Sequence, residues 1–140
     1  MNNFEILHFR VGRGGNNHQQ TGYFCRVTRM RGDRKHYRIG FSMDTSDAIT
    51  SKGLTHFQLH VERFTGSVFF VFINGDDNTD ARIGKEKGGQ VRICNAKLVD
   101  YLAKKMNLDG DFQSVLIELS RDLANDDNYA TFRINFPNNN

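Results

Sequence analysis

The sequence has little of what usually holds small secreted or membrane proteins together. It contains no tryptophan, one proline and two cysteines in 140 residues. Cys25 and Cys94 lie far apart in strand-like segments, which fits reduced thiols better than a disulfide or a zinc site. No apolar run approaches the roughly 18 residues of a membrane span, and the start lacks a secretory signal pattern. We therefore expect a cytoplasmic protein that binds no metal and does not cross a membrane.

Motifs for catalysis are also missing from the sequence. No glycine-rich loop is followed by Lys-Ser or Lys-Thr, and no serine or cysteine lies in a nucleophile elbow. Asp76, Asp77 and Asp80 lack the spacing and the closing glutamate of an EF-hand calcium loop. The sequence therefore predicts a protein that is not an enzyme and uses no cofactor.

Basic residues are concentrated in the first third of the chain. Residues 1–40 contain eight Lys or Arg against two acids, and residues 41–140 contain eleven against fourteen. The densest part is "RVTRMRGDRKHYR", residues 26–38. Such an asymmetry indicates a surface that meets a polyanion or an acidic partner.

The turn chemistry of this basic stretch predicts a β-hairpin. Gly32 and Asp33 suit the two central positions of a type II′ turn. That turn pairs Arg29 with His36 and Val27 with Arg38, and cross-strand partners share a face. One face would then collect Arg29, Arg31, Arg34, His36 and Arg38 around Tyr23 and Val27. The other would carry Phe24, Met30, Tyr37, Ile39 and Phe41, with Arg26, Thr28 and Lys35 as exceptions to its apolar character.

The rest of the chain predicts a single α+β domain that is mostly β. A capped helix or helical turn is expected from Ser42 to Gly53, and a second helix begins after Asn95 with an apolar stripe. That stripe comprises Leu98, Val99, Leu102 and Met106. Strands are predicted at "THFQLHVERF", "SVFFVFING", "QVRI", "SVLIELS" and "YATFRI", in addition to "NFEILHFRVGR" and "YFCRVTRM" in the first 35 residues.

An internal repeat is visible at an offset of 54 positions, where Arg38-Ile39 superposes on Arg92-Ile93. Each half has the order strand, helix, strand, turn, strand. This pattern resembles the half-barrel units of AbrB-like swapped-hairpin proteins and double-psi β-barrels. The resemblance implies two interlocked units, residues 36–74 and 90–134. They would follow N-terminal strands with the basic hairpin (1–35), be joined by a polar connection (75–89) and end in a tail (135–140). DNA binding is common among AbrB-like proteins, whereas double-psi barrels also occur in enzymes and adaptors, so the fold alone does not fix the function.

The basic hairpin predicts a protein that binds DNA or RNA, with regulation as one role that such binding would serve. Guanidinium groups match phosphate oxygens, and aromatic rings stack on bases. The candidate phosphate contacts are Arg13, Arg26, Arg29, Arg31, Arg34, Lys35 and Arg38, and the candidate stacking residues are Tyr23, His36 and Tyr37. Two alternatives stay open. In the first, the chain is a non-enzymatic inhibitor or an assembly component, of the kind that phages and mobile elements encode, and its hairpin would meet an acidic protein. A solvated hairpin would pair with acids of residues 76–80 or 122–127. Monomer and homodimer are both compatible with the sequence.

Overall fold

The computed structural model describes residues 22–30, 36–108, 112–122 and 127–137. The predicted first strand, the loop with Arg13 and the Gly32-Asp33 turn lie outside these residues. The described chain forms two helices and nine strands. In order these are β1 (Phe24–Met30), β2 (His36–Phe41), α1 (Met43–Thr50), β3 (His56–Val61), β4 (Val68–Ile73), β5 (Ala81–Arg82), β6 (Gly84–Lys85), β7 (Val91–Ile93), α2 (Ala96–Lys105), β8 (Phe112–Arg121) and β9 (Tyr129–Asn135).

The strands form one antiparallel sheet that is nearly closed into a barrel. The strand order is β5-β3-β4-β9-β8-β1-β2-β7-β6. The two outer strands of this order, β5 and β6, are separated in sequence only by Ile83. The N–H of Ile83 donates to the carbonyl of Thr55, so the segment pairs with β3 at its start and with β7 at its end. The mostly β architecture and the barrel-like sheet predicted from the sequence are thus confirmed.

Both helices begin where their capping residues predict. The side chain of Ser42 accepts from the N–H of Thr45 at the start of α1, and the side chain of Asn95 accepts from the N–H of Leu98 at the start of α2. Gly53 follows α1 with φ +68°, a conformation that glycine adopts without strain. Within the described residues, neither helix has the length and the apolar character needed to cross a membrane.

Aromatic and aliphatic side chains fill the inside of the sheet. The rings of Phe41 and Phe70 meet edge-on at 5.2 Å between centroids, and Phe72 and Phe132 do so at 6.0 Å. The predicted apolar stripe of α2 is buried against this core, which confirms the face assigned to that helix. Because aromatic burial is a large stabilising contribution, the phenylalanine cluster fixes the shape on which the outer face rests.

The hairpin of β1 and β2 has a different register from the predicted one. Arg29 lies opposite Tyr37 and Val27 lies opposite Ile39, one residue away from the pairing expected from a two-residue turn. A shift of one residue exchanges the faces of one strand relative to the other. The inward set is Cys25, Val27 and Arg29 on β1 with Tyr37, Ile39 and Phe41 on β2. The predicted basic face is therefore divided between the two sides of the barrel wall.

The corrected register follows the apolar pattern of the two strands. Cys25 and Val27 alternate on β1, and Ile39 and Phe41 alternate on β2, and all four are almost fully buried. Cys25 and Val27 come to the same side as Ile39 and Phe41 only if the number of residues between the two paired strands is odd. A two-residue turn would leave an even number of residues between them. Burial of the apolar residues outweighed the local turn preference.

Candidate functional site

Three outward-facing residues lie side by side across neighbouring strands and define the candidate site. Arg26 of β1 is paired with Gly40 of β2, and Gly40 is paired with Arg92 of β7. Arg38 belongs to the same outer set of β2, two positions before Gly40. A glycine between arginine-bearing strands leaves an open floor, and a Cβ added at Gly40 would meet nothing within 4 Å.

A pocket of about 270 Å³ lies over this floor and is called here the Gly40 pocket. Arg26 and Arg38 line it together with the carboxylate-bearing Glu86. The apolar part of the lining includes Phe24 and Leu116, with Leu116 directly across from Arg26 on β8. The pocket thus combines an apolar wall with two guanidinium groups, and its size is near the lower end of small-molecule sites, about 300 Å³.

Glu86 is the internal partner of the arginines around the pocket. Its carboxylate accepts a hydrogen bond from Nη2 of Arg38 and lies 3.9 Å from Nη1 of Arg92. Nη1 of Arg26 donates to Ser114 Oγ at 3.2 Å, and Nη1 of Arg92 donates to the carbonyl of Lys85. Three guanidinium groups therefore stand near two carboxylates, Glu86 and the exposed Glu118 across from Phe24 on β8, so the face keeps a positive balance that favours an anion.

Arg29, predicted as a phosphate contact, lies on the opposite side of the wall. It is 5% exposed, and its Nη1 donates to Oδ1 of Asp100 on α2 at 2.8 Å. A buried arginine paired with a carboxylate has no access to an external phosphate. The prediction that Arg29 shares a face with Arg38 is wrong, because the register turns Arg29 inward.

The other predicted site residues are distributed as follows. The ring of Tyr23 packs against Phe132 with centroids 5.5 Å apart, and its hydroxyl accepts from Nη1 of Arg121. Tyr37 is half-buried against the core. Of the predicted phosphate contacts, Arg26 and Arg38 are brought together. Arg13, Arg31, Arg34 and Lys35 lie outside the described residues, as does the side chain of His36.

The sequence missed Glu86, Arg92 and Phe24 as members of the site. Glu86 lies in the predicted polar connection, and its contact with Arg38 depends on the pairing of β2 with β7. The expected acidic partners, residues 76–80 and 122–127, do not include it. The alternation of β1 does place Phe24 and Arg26 on one face of the strand, but that face was predicted to be the apolar one, whereas it points outward.

A second polar cluster lies at the start of β3 and joins buried and exposed groups. His56 is 2% exposed, and its Nε2 lies 2.6 Å from Oδ1 of Asp77. The N–H of Gly75 donates to Nδ1 of His56, so Nε2 carries the proton that Asp77 accepts. Hydrogen bonds from His56 and Arg82 lower the pKa of Asp77. These contacts hold the 74–80 segment against β3.

No group of three or more metal-ligating side chains occurs in the ranges that the structure describes. No protein-family model matches the chain, and no curated protein or solved structure matches it either. The resemblance to AbrB-like and double-psi barrels therefore stays a prediction.

Proposed function

We propose that the chain is a nucleic-acid-binding protein that contacts phosphates through the outer face of β1 and β2. The observation that carries this proposal is the Gly40 pocket, where Arg26 and Arg38 flank an open glycine floor. Arginine forks bind phosphate oxygens in a bidentate manner, and backbone phosphate contacts supply most of the affinity of non-specific complexes.

The sequence between β1 and β2 adds positive charge to this hairpin. β1 and β2 lead into residues 31–35, which add Arg31, Arg34 and Lys35 to the basic residues of the same hairpin. Several cations close together in the sequence suit a polyanion better than a single small anion.

Anisotropy titrations of labelled single- and double-stranded DNA and RNA test the proposal across a range of salt concentrations. We expect a dissociation constant in the micromolar range at low salt, and a log–log salt slope that grows by about 0.7–0.9 for each phosphate contacted. The double variant Arg26→Ala/Arg38→Ala should bind less tightly, and Arg63→Ala, which removes one arginine from the β3–β4 turn, should bind like the wild type. Equal affinity for the double variant and the wild type would refute the proposal.

A protein partner is the second candidate, and the β3–β4 turn favours it. Phe64 is 96% exposed. The turn around it is ordered, because Thr65 donates to the Glu62 carboxylate through both its N–H and its hydroxyl, and these bonds lower the pKa of Glu62. An exposed aromatic side chain on a fixed turn is a typical anchor for a protein interface. Absence of binding in every titration would make this turn the next region to mutate.

We further propose that the barrel consists of two equivalent halves, as the sequence repeat predicted. The described elements occur in the order strand, helix, strand, strand in both halves, as β2-α1-β3-β4 and β7-α2-β8-β9. Ile39 pairs with Ile93, the residue at the repeat offset, as expected for antiparallel strands next to a twofold axis. In this arrangement β5 and β6 occupy the place that β1 has in the first half.

A further inference from the structure

We propose that the Gly40 pocket takes one unstacked nucleotide, so that this face prefers single-stranded to double-stranded nucleic acid. The inference rests on the proposed function and names its substrate class. In this arrangement the base lies against Phe24 and Leu116 while the adjoining phosphate meets Arg26 and Arg38.

The lining of the pocket matches the two chemical parts of a nucleotide. A base offers an apolar face that stacks on aromatic and aliphatic side chains, and the phosphate needs cationic donors a short distance away. Phe24 and Arg26 are two positions apart on β1, so they project from the same side of the strand. Leu116 lies across from Arg26 on β8, which places apolar and cationic groups at one opening.

Gly40 gives the pocket its depth. A glycine inside a strand is destabilising relative to residues with a side chain, and it commonly marks a close approach of another molecule. Its φ is not in the left-handed region, so the backbone at this position does not itself require glycine. A side chain at position 40 would therefore fill the open space above the strand.

The size of the pocket selects against a duplex. In double-stranded nucleic acid the bases are paired and stacked inside the helix, so only sugars and phosphates reach a surface pocket unless a base is extruded. A pocket of about 270 Å³ with an apolar wall is suited to one exposed base and not to a base pair. A single strand supplies such bases without the energy needed for unpairing.

In the free protein, the carboxylate of Glu86 accepts a hydrogen bond from Arg38. A phosphate that binds Arg38 has to compete with this carboxylate. Glu86→Gln removes the negative charge while it keeps the shape and an acceptor oxygen, so we expect it to raise the affinity for single strands by a few-fold. An unchanged or lower affinity would contradict this role of Glu86.

The test uses the absence of tryptophan from the chain. Phe24→Trp places a single tryptophan at the pocket wall, and Phe64→Trp places one on the β3–β4 turn as the matched control. Each variant is titrated with an oligothymidylate strand and with a hairpin duplex of equal length. We expect quenching of the Phe24→Trp fluorescence by the single strand and not by the duplex. The Phe64→Trp fluorescence should stay unchanged with both.

Blocking the pocket gives an independent measurement in the tryptophan-free chain. Gly40→Val fills the open floor with a residue that favours strands, and Gly40→Ala is a smaller step that keeps the fold. Anisotropy should show about a ten-fold loss of single-strand affinity in Gly40→Val and little change for the duplex. Equal affinity for strand and duplex, with no effect of Gly40→Val, would overturn the pocket inference and leave the proposed function standing. No binding of either nucleic acid would overturn both.

Discussion

Arg29 and Arg38 lie nine positions apart in the sequence, on the two strands of one hairpin, yet they occupy opposite sides of the barrel wall. The Arg29 side chain is 6% exposed and is held by Asp100, whereas the Arg38 side chain is 36% exposed and faces the Gly40 pocket. The same residue type in the same basic stretch thus serves the fold in one case and is available for binding in the other. The alternation of side chains along each strand decides which arginine faces inward and which faces outward.

A buried basic group paired with an acid occurs at a second place. Arg29 and His56 are both buried, and each is paired with a more exposed carboxylate, Asp100 or Asp77. Arg29 faces inward, whereas His56 lies on the outer side of β3, across from Ile73, and is covered by the 74–80 segment. A buried charge or ring nitrogen without a partner is costly, so these acids satisfy groups that the fold buries. Arg26 and Arg38 differ, because they surround an open space.

The two cysteines offer the largest contrast between inside and outside. Cys25 is fully buried on β1, and burial raises the pKa of its thiol, while Cys94 is exposed. With a maleimide under native conditions, we expect Cys94 to react more than about a thousand-fold faster than Cys25. Mass spectrometry after timed quenching measures both rates. Comparable rates in the folded protein would show that the side chain of Cys25 does not face the core.

Removal of the inner arginine should cost stability. Arg29→Ala removes the buried partner of an ion pair, while the other partner, Asp100, is half exposed and can be hydrated in the variant. We therefore expect the free energy of unfolding to fall by about 2–3 kcal/mol. Urea denaturation followed by circular dichroism measures the change, and Arg63→Ala should stay within about 0.5 kcal/mol of the wild type. A loss as small as that of the control would contradict the structural role of Arg29.

Removal of the outer arginines should cost binding and leave the stability nearly unchanged. Arg26→Ala/Arg38→Ala leaves the core intact and breaks the partly exposed pair of Arg38 with Glu86, worth about 0–1 kcal/mol, and the exposed hydrogen bond of Arg26 to Ser114. We expect at least a ten-fold loss of nucleic-acid affinity at low salt, and a salt slope lower by about 1.4–1.8, for two lost phosphate contacts. An unaltered slope would mean that these side chains do not meet phosphates.

The smallest effect concerns the carboxylate that holds His56. Hydrogen bonds from His56 and Arg82 lower the pKa of Asp77 in the folded state, so its contribution to stability is present above the unfolded pKa of about 3.9 and is lost as pH falls through the folded value. Asp77→Asn should therefore lower the melting temperature at pH 7, and the difference should shrink below about pH 4. A difference that is constant down to pH 2 would contradict this assignment.

Much of the fold was predictable because its signals are local. Ser42 and Asn95 cap their helices, and the apolar stripe of α2 repeats at helical spacing, so these elements were identified from a few neighbouring residues. The long strands were likewise marked by their aliphatic and aromatic residues. The short strands β5 and β6 were not predicted, because two-residue strands form only where a neighbouring edge supplies their partners.

The candidate site was only partly predictable, since it depends on pairing between distant strands. Arg26 and Arg38 were identified as basic, but their relation to Arg29 followed from a turn preference that did not set the register. Glu86 and Arg92 reach the site through the pairing of β2 with β7, which no local pattern records. The pocket over Gly40 is a property of three strands together.

The central claim is that the outer arginines bind nucleic acid while the inner arginine stabilises the barrel. The most direct test measures both properties side by side for Arg29→Ala and for Arg26→Ala/Arg38→Ala, at a temperature where each variant is folded. We expect the Arg29 variant to bind a labelled single strand like the wild type despite its lower stability, and the double variant to be stable and to bind weakly. A folded Arg29 variant that has lost binding, together with a double variant that binds normally, would contradict the claim.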